Sequence, residues 1–548
     1  MLDQWRLYQG WMMTLDNVTK TEKLYICYHV KERKSIMDDK IIVTHRKALL
    51  SKYGSKGFAT IRKALAVLTA ADKKRGINSR VVYLDYATDM KKTGGKAVIN
   101  TSDPRENKVA IDAVFKFFNP HYLMILGASD VVPHQDLDNT AYSQSGGDDD
   151  AHAWGDLPYA CDVPYSRDPA RFVGPTRVVG RLPDLVAAND PSYLVSLLKT
   201  AADYKSRSPE DYTGYLGLSA EVWQGSTRLS LNNIFGNADK LLLAPPSGPN
   251  YPDGQLRNRM HFINCHGGTA SPEFYGQRGS SYPKSMTTKL TTGEILEGTV
   301  AAVECCYGAE LYDAITLVID LPICQSYLQQ GGYGYFGSTT IAYGPADGNG
   351  AADLICQYFL LNVLDGASIG HAALMARQQF VERTAQMDAL DLKTLAQFYL
   401  LGDPSVHPIA EPSATKVPTN VATVEAERFF RSERRQKMKM TGDFLMKTKP
   451  TASKRVPTGK LSPVTKAALS NITKLAGLSE KQTFTAFAVE GAPTPKGLAS
   501  KDKTSPTRYL ISIGTPEGET TEKINRGIAV VAKELNGRII GYRIYQQR

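Results

Sequence analysis

Two short blocks of this 548-residue sequence place a base and a thiol where chemistry could be done: HFINCHGG (261–268) and TVAAVECCYG (299–308). A cysteine nucleophile must stand at a loop or helix start, with a base near it and donors for the oxyanion. TVAAVEC carries Cys305 to the end of a buried strand, and Cys-Tyr-Gly follows as a turn. HFINCH carries His266 out in the same way, and Gly267-Gly268 let the backbone bend closely around a substrate. If these strands are parallel neighbours, His266 and Cys305 emerge side by side. The free N–H groups of Gly267 and Cys305 would then form an oxyanion hole. Taken alone, a buried strand cysteine is more often an inert small hydrophobe.

The other titratable residues sort against this pair. Cys306 is the alternative nucleophile; its bland reading is a side chain facing the opposite side of the strand end and packing there. Glu221 closes a third strand, YTGYLGLSAE (212–221), and reads as a strand-end carboxylate facing solvent or as part of the site. His261 reads as a structural histidine, and Cys265, Cys324 and Cys356 as core. A zinc site from Cys265, His266, Cys305 and Cys306 is disfavoured, because adjacent residues point to opposite faces of a strand. Asp148, Asp149, Asp150 and Asp156 supply hard oxygens that could hold calcium, although a solvated acidic loop is the simpler reading. No P-loop, G-x-S-x-G or dinucleotide fingerprint occurs in a strand–turn–helix context. No metal or cofactor is expected.

The elements that must position these residues alternate between strand and helix. LYICYHV (24–30), RVVYLDY (80–86) and HYLMILGASDVVP (121–133) read as strands, separated by helical spacing over 57–74 and 107–118. A helix over 190–206 precedes the strand 212–221. The histidine and cysteine blocks follow, then a helix over 313–330, GGYGYFGSTTIAYG (331–344), a helix over 351–375 and FYLLGDPSVHP (398–408). This is the pattern of an α/β sheet with helices on both faces. Ligands of such sheets bind beyond the carboxyl ends of the strands, where Glu221, His266 and Cys305 fall.

Composition sets the outer limits. A hydrophobic content of 42% and a charged content of 22% are those of a globular chain. No run approaches a membrane span, and MLDQWRLYQGWMMTLDN lacks the features of a secretory signal. Seven cysteines argue against a disulfide framework, so a cytoplasmic protein is expected. The net charge of +10 is uneven. Residues 411–548 hold 25 Lys+Arg against 12 Asp+Glu, leaving the first 410 residues slightly acidic. Four segments are expected: an N-terminal α/β subdomain (1–205), a catalytic α/β subdomain (206–410), a basic linker (411–460) and a small α+β domain (461–548). The last contains a helix near 462–476, two strands, a helix over 520–535 and a final strand.

The motifs together resemble the gingipain branch of the caspase–gingipain superfamily of cysteine peptidases. HYLMILGASDVVP is similar to a buried strand of that family, and RVVGRLP (177–183) to its "vGRlp" segment. INCHGG is similar to its histidine block, AVECCYGAEL to its nucleophile block, and GSTTIAYG and FYLLGDPSVHP to its closing segments. The likeness covers about residues 20–410. It implies a caspase-like α/β unit of two subdomains and an endopeptidase acting through a thioester acyl-enzyme. It also implies Cys305 as nucleophile, since gingipains place a glycine three residues on, whereas caspase spacing selects Cys306. His266 becomes the general acid–base, and Glu221 a third catalytic residue that orients it or polarises the substrate. Asp347, in the loop that walls the pocket of related enzymes, becomes the counter-charge for Lys or Arg before the scissile bond. Arg434, Arg435, Lys454 and Arg455 in the linker are then self-cleavage sites. A protein or peptide substrate is expected, and a regulatory partner could dock on the basic C-terminal region. Two rivals are a non-catalytic scaffold and a protease effector whose basic C-terminal module binds nucleic acid.

Overall fold

The computed structural model describes residues 38–548, except 143–146, 253, 385, 411–422, 449–450, 480–481, 490–506 and 517–526. The strand expected at 24–30 lies outside the described residues. The rest of the first 410 residues build one ten-stranded sheet flanked by helices, an α/β fold. Its first half runs Ser79–Tyr83, Lys40–Thr44, Tyr122–Leu126, Val179–Leu182, Phe398–Leu401, with parallel pairing throughout. Its second half runs Gly334–Ser338, Val300–Val303, Met260–Asn264, Tyr215–Ala220, Leu241–Ala244, again parallel throughout. The halves meet at a single antiparallel seam, where Phe398–Leu401 pairs with Gly334–Ser338. Strands buried on both faces need apolar side chains on both. Accordingly Ala301 and Val303 join one core layer, and Val300 and Ala302 the other.

Charged residues of the glycine-bearing segments hold this sheet together. Asp403 of the Gly-Asp-Pro segment pairs with the fully buried Lys40 at 2.5 Å, and Asp72 reaches the same ammonium at 2.8 Å. Arg181 of the Gly-Arg-Leu segment is held by both oxygens of Asp156, at 2.9 and 2.6 Å. Asp148 and Asp150 grip the buried Lys393 at 2.6 and 3.0 Å. The acidic stretch is therefore a set of interior ion pairs, not a solvated loop; Asp149 alone of the four is exposed. Among the described residues no cluster of three or more His, Cys, Asp or Glu could hold a metal ion. None of the described helices is long and apolar enough to cross a membrane.

The C-terminal region departs furthest from expectation. The basic segment forms a helix, Thr423–Thr448, that docks on the α/β unit: Gln378 donates to the Met438 carbonyl at 2.8 Å, and Arg435 bonds Asn119. Lys454 and Arg455 sit within a strand, Thr451–Val456, whose backbone is paired in a sheet. The self-cleavage sites are thus folded into helix and sheet rather than offered on an open linker. The stretch read as a helix over 520–535 contains a strand, Ile528–Leu535. Alternating β-branched residues in IAVV outweigh the helix formers after them. That strand turns through Asn536-Gly537, both at positive φ (51° and 72°), into the last strand, Arg538–Gln547. Positive φ at both central residues is what a two-residue hairpin demands.

A seven-stranded sheet results, and the α/β unit supplies both of its edges. Tyr343–Gly344 pairs with the last strand, and Gln386–Met387 with Thr451–Ala452. The C-terminal sheet is stitched to the α/β unit rather than tethered to it.

Burial also makes the fold sensitive to acid. His261 is wholly buried, with Nε2 between the Leu256 and Asn258 carbonyls and Nδ1 on the Tyr327 hydroxyl at 2.8 Å. Desolvation pulls its pKa down to about 4. A histidine depressed on folding binds fewer protons than its unfolded counterpart, so its contribution is intact above about 6.5 and is lost progressively as the pH falls toward 4. The loss approaches ~3 kcal/mol for a shift of this size. Denaturant unfolding of His261→Gln should show a shallower fall in stability between pH 6.5 and 4 than the parent; an unchanged slope would contradict this account.

Candidate active site

The strands that carry the histidine and cysteine blocks are parallel neighbours, as the site requires. Ile263 stands beside Val303, and the Glu304 amide continues the ladder to the Ile263 carbonyl at 2.9 Å. Beyond that register the main chain of Gly267, next to His266, lies against Cys306, whose carbonyl is the nearest atom to the Gly267 α-carbon's open face.

Alternation then separates the two thiols. Cys305 turns into the apolar layer with Cys265, Cys324, Tyr327 and Tyr335, and burial there pushes its thiol well above its ordinary range. Cys306 turns to the other face, where its Sγ lies 3.3 Å from the Ala342 amide and 3.5 Å from the Ala342 carbonyl. Burial raises this thiol too, to about 12, against a lowering pull from the Ala342 backbone and Lys393. Cys306 was expected to pack away from the site and Cys305 to face it; here Cys305 lies in one core layer and Cys306 in the other, on the side of Ala342.

His266 is fixed from three sides. Its backbone exchanges two hydrogen bonds of 2.8 Å with Tyr275, its Nε2 lies 2.8 Å from Gln277 Oε1, and its ring sits 4.3 Å from Trp223 and 5.3 Å from Tyr282, centroid to centroid. Gln277 in turn donates to the Tyr282 hydroxyl at 2.8 Å. The structure does not bring Glu221 to the imidazole. That carboxylate is bound to the Arg278 guanidinium at the surface, and Gln277 occupies the place beside the ring.

The space in front of His266 and Cys306 is filled by residues 546–548. Gln547 pairs with Tyr343 and Gln546 with Gly344, antiparallel. The Arg548 amide donates to the Ala342 carbonyl at 3.0 Å. The main-chain oxygen of Arg548 accepts from two amides at once, Cys306 at 3.1 Å and Gly267 at 3.4 Å. Gly267 was an expected donor, but its partner is the amide of Cys306 rather than that of Cys305. A Cβ on Gly267 would collide with the Cys306 carbonyl, so only glycine permits this approach.

The Arg548 side chain drops into a fully buried pocket. Its Nη2 lies 3.1 and 3.3 Å from the two Asp353 oxygens and 2.8 Å from the Pro345 carbonyl, and the guanidinium stands 4.4 Å from the Trp223 ring centroid. Glu304 approaches Nε at 3.8 Å. Burial, and then the Asp353 charge, push Glu304 well above the ordinary carboxylate range; burial raises Asp353 as well, but the Arg548 charge pulls against it, so we assign the proton to Glu304 and the negative charge to Asp353. Asp347 is elsewhere, exposed on the rim loop next to Gly225. Asp353, Glu304, Trp223 and Gln277 were not singled out from the sequence. The two acids left a signal: each is a lone charge in an otherwise apolar run, TVAAVECC and AADLICQYF. A buried charge at such a place needs a partner.

No family model matches this chain, and no curated protein does. Among solved structures it is similar to one described as "Structure of Protease", at 12% identity and a TM-score of 0.45, covering 93% of this chain and 98% of that one. It is also similar to the complex of Porphyromonas gingivalis RgpB pro- and mature domains, at 10% identity and a TM-score of 0.41, covering 92% of this chain and 99% of that one. Likenesses this distant leave function to the geometry of the site. That geometry makes a direct claim about the pocket. Glu304→Gln, which mimics the protonated acid, should change stability little, whereas Asp353→Asn should cost about 3 kcal/mol by stranding the guanidinium. Denaturant unfolding that ranks the two in the opposite order would contradict the charge assignment.

Proposed function

We propose that this protein is a cysteine endopeptidase that cuts peptide bonds after a basic residue, with Cys306 as nucleophile and His266 as proton-transfer partner. One observation carries the reading: a main-chain oxygen is held by the amides of Gly267 and Cys306. Two convergent N–H donors beside a thiol are what a tetrahedral acyl intermediate needs, because the charge develops on that oxygen. A peptide laid along Tyr343–Gly344 presents its carbonyl carbon to Cys306. The thiolate adds to it, the Gly267 and Cys306 amides take the oxyanion, and His266 passes a proton to the departing amine. Water then hydrolyses the thioester with His266 as base. Gln277 and Trp223 keep the imidazole in place.

Asp353 replaces Asp347 as our candidate for the counter-charge that selects a basic residue. Glu221 is assigned no direct part, since its charge is taken up by Arg278. No cofactor is required. A cytoplasmic setting suits the six described cysteines, all of which are free thiols. The basic helix Thr423–Thr448 is docked on the α/β unit, which favours a structural role for it over a nucleic-acid-binding one.

The assignment can be tested by substitution. Cys306→Ala and His266→Ala should each lower turnover of a basic-residue peptide by several orders of magnitude while the protein stays folded. Cys305→Ala should keep its activity and lose only the packing of a small core side chain, ~1–2 kcal/mol. Gly267→Ala should cost at least 100-fold through the oxyanion donor. Full turnover by Cys306→Ala, with loss in Cys305→Ala, would return the nucleophile to position 305.

A further inference from the structure

Four separate contacts place residues 546–548 as a bound peptide substrate would lie. The strand pairs antiparallel with the cleft wall at Tyr343 and Gly344. The Arg548 amide bonds the Ala342 carbonyl, its side chain fills the acid pocket, and its oxygen rests on the two oxyanion donors. The neighbouring side chains are engaged as well: Trp223 donates to Gln546 Oε1, and Gln547 Nε2 donates to the Tyr343 hydroxyl at 2.9 Å. The placement is built into the fold. The Asn536-Gly537 hairpin sets the register of the last strand against Ile528–Leu535, and the seven-stranded sheet is anchored to the catalytic unit at both edges. Gly344 leaves room for the guanidinium where any Cβ would strike it.

Resting on the peptidase reading above, we infer that the segment 538–548 is a substrate-like inhibitor in cis, with Arg548 occupying the pocket that receives the residue before the scissile bond. A ligand held on the same chain competes at an effective concentration of order millimolar. A substrate must therefore bind to the small fraction of molecules whose strand has left, and its apparent affinity falls by that fraction. The pocket adds a preference of its own. Asp353 has no cationic partner but Arg548 among the described residues, so a neutral side chain would leave its charge buried and unpaired. Lysine offers a point charge in place of the planar guanidinium that reaches Asp353, Pro345 and the Trp223 ring together. The segment a substrate must displace therefore mimics the arginyl residue of a substrate.

The same geometry predicts a reaction. If residues are appended after Arg548, its carbonyl carbon faces Cys306 as part of a peptide bond. The thiolate adds, the C–N bond to the appended residue breaks, and His266 gives that amine a proton. Water then hydrolyses the thioester, restoring the thiol and leaving an Arg548 carboxylate.

The experiment compares the full chain, Arg548→Ala and a full chain extended by a short alanine–glycine tag, using an arginyl fluorogenic peptide and mass spectrometry. Arg548→Ala should raise kcat/KM at least tenfold over the full chain, and adding the free peptide RIIGYRIYQQR should reverse the gain. The extended chain, in which residues 1–548 are unchanged, should lose its tag after Arg548 at a rate independent of protein concentration. An Arg548→Ala protein that cleaves the peptide no faster than the full chain, or a tag that stays intact on an active enzyme, would overturn the inference and leave the peptidase reading standing. Absence of cleavage in every form, tag included, would overturn both.

Discussion

A buried carboxylate must find a cation, and in this protein Asp353 finds it in Arg548, nearly two hundred residues away in the chain. Taking a charge out of water costs several kcal/mol, so the pocket between Trp223, Pro345 and Gly344 is stable when a guanidinium fills it. Glu304 adds a second acid at a depth where two negative charges are hard to sustain against one positive charge, and burial with the Asp353 charge pushes it well above the ordinary carboxylate range. This local balance orders much of the molecule. It fixes the end of the last strand and closes the cleft over His266 and Cys306.

The sheet makes that arrangement usable. Parallel neighbours end side by side at the histidine and cysteine blocks, and alternation along one strand sends Glu304 and Cys306 to the face where Arg548 lies while Cys305 turns away. The antiparallel seam at Phe398–Leu401 joins the two halves into one rigid body without disturbing those strand ends. The Lys40–Asp403, Arg181–Asp156 and Lys393–Asp148 pairs lock the surrounding loops. Lys393 serves twice, since its charge also lowers the Cys306 thiol.

Much of this was legible in the sequence, and the rest was hidden for definite reasons. The apolar runs ending in glycine-bearing turns gave the strands and the α/β order of the sheet. Which of Cys305 and Cys306 faces Arg548 depends on a register of one residue, which no periodicity fixes when both neighbours are cysteine. Glu221 and Asp347 were placed by resemblance, and their partners, Arg278 and the solvent, depend on loops whose course is not written locally. The lone acids Glu304 and Asp353 were visible as charges in apolar runs, but their shared cation lay at the far end of the chain. The Asn536-Gly537 turn was a readable hairpin signal, masked by the helix-forming residues before it. Charge counting made the C-terminal region look like a detached appendage, because net charge does not report backbone pairing.

The central claim is that one pocket and one thiol, Asp353 and Cys306, act on the same peptide. The most direct measurement is a crystal structure of the Arg548→Ala protein after reaction with a peptidyl-arginine chloromethyl ketone. The account predicts a thioether at Cys306 Sγ, with the inhibitor's guanidinium on Asp353 and its oxygen facing the Gly267 and Cys306 amides. A bond to Cys305, or an arginine side chain lying outside the Asp353 pocket, would contradict it.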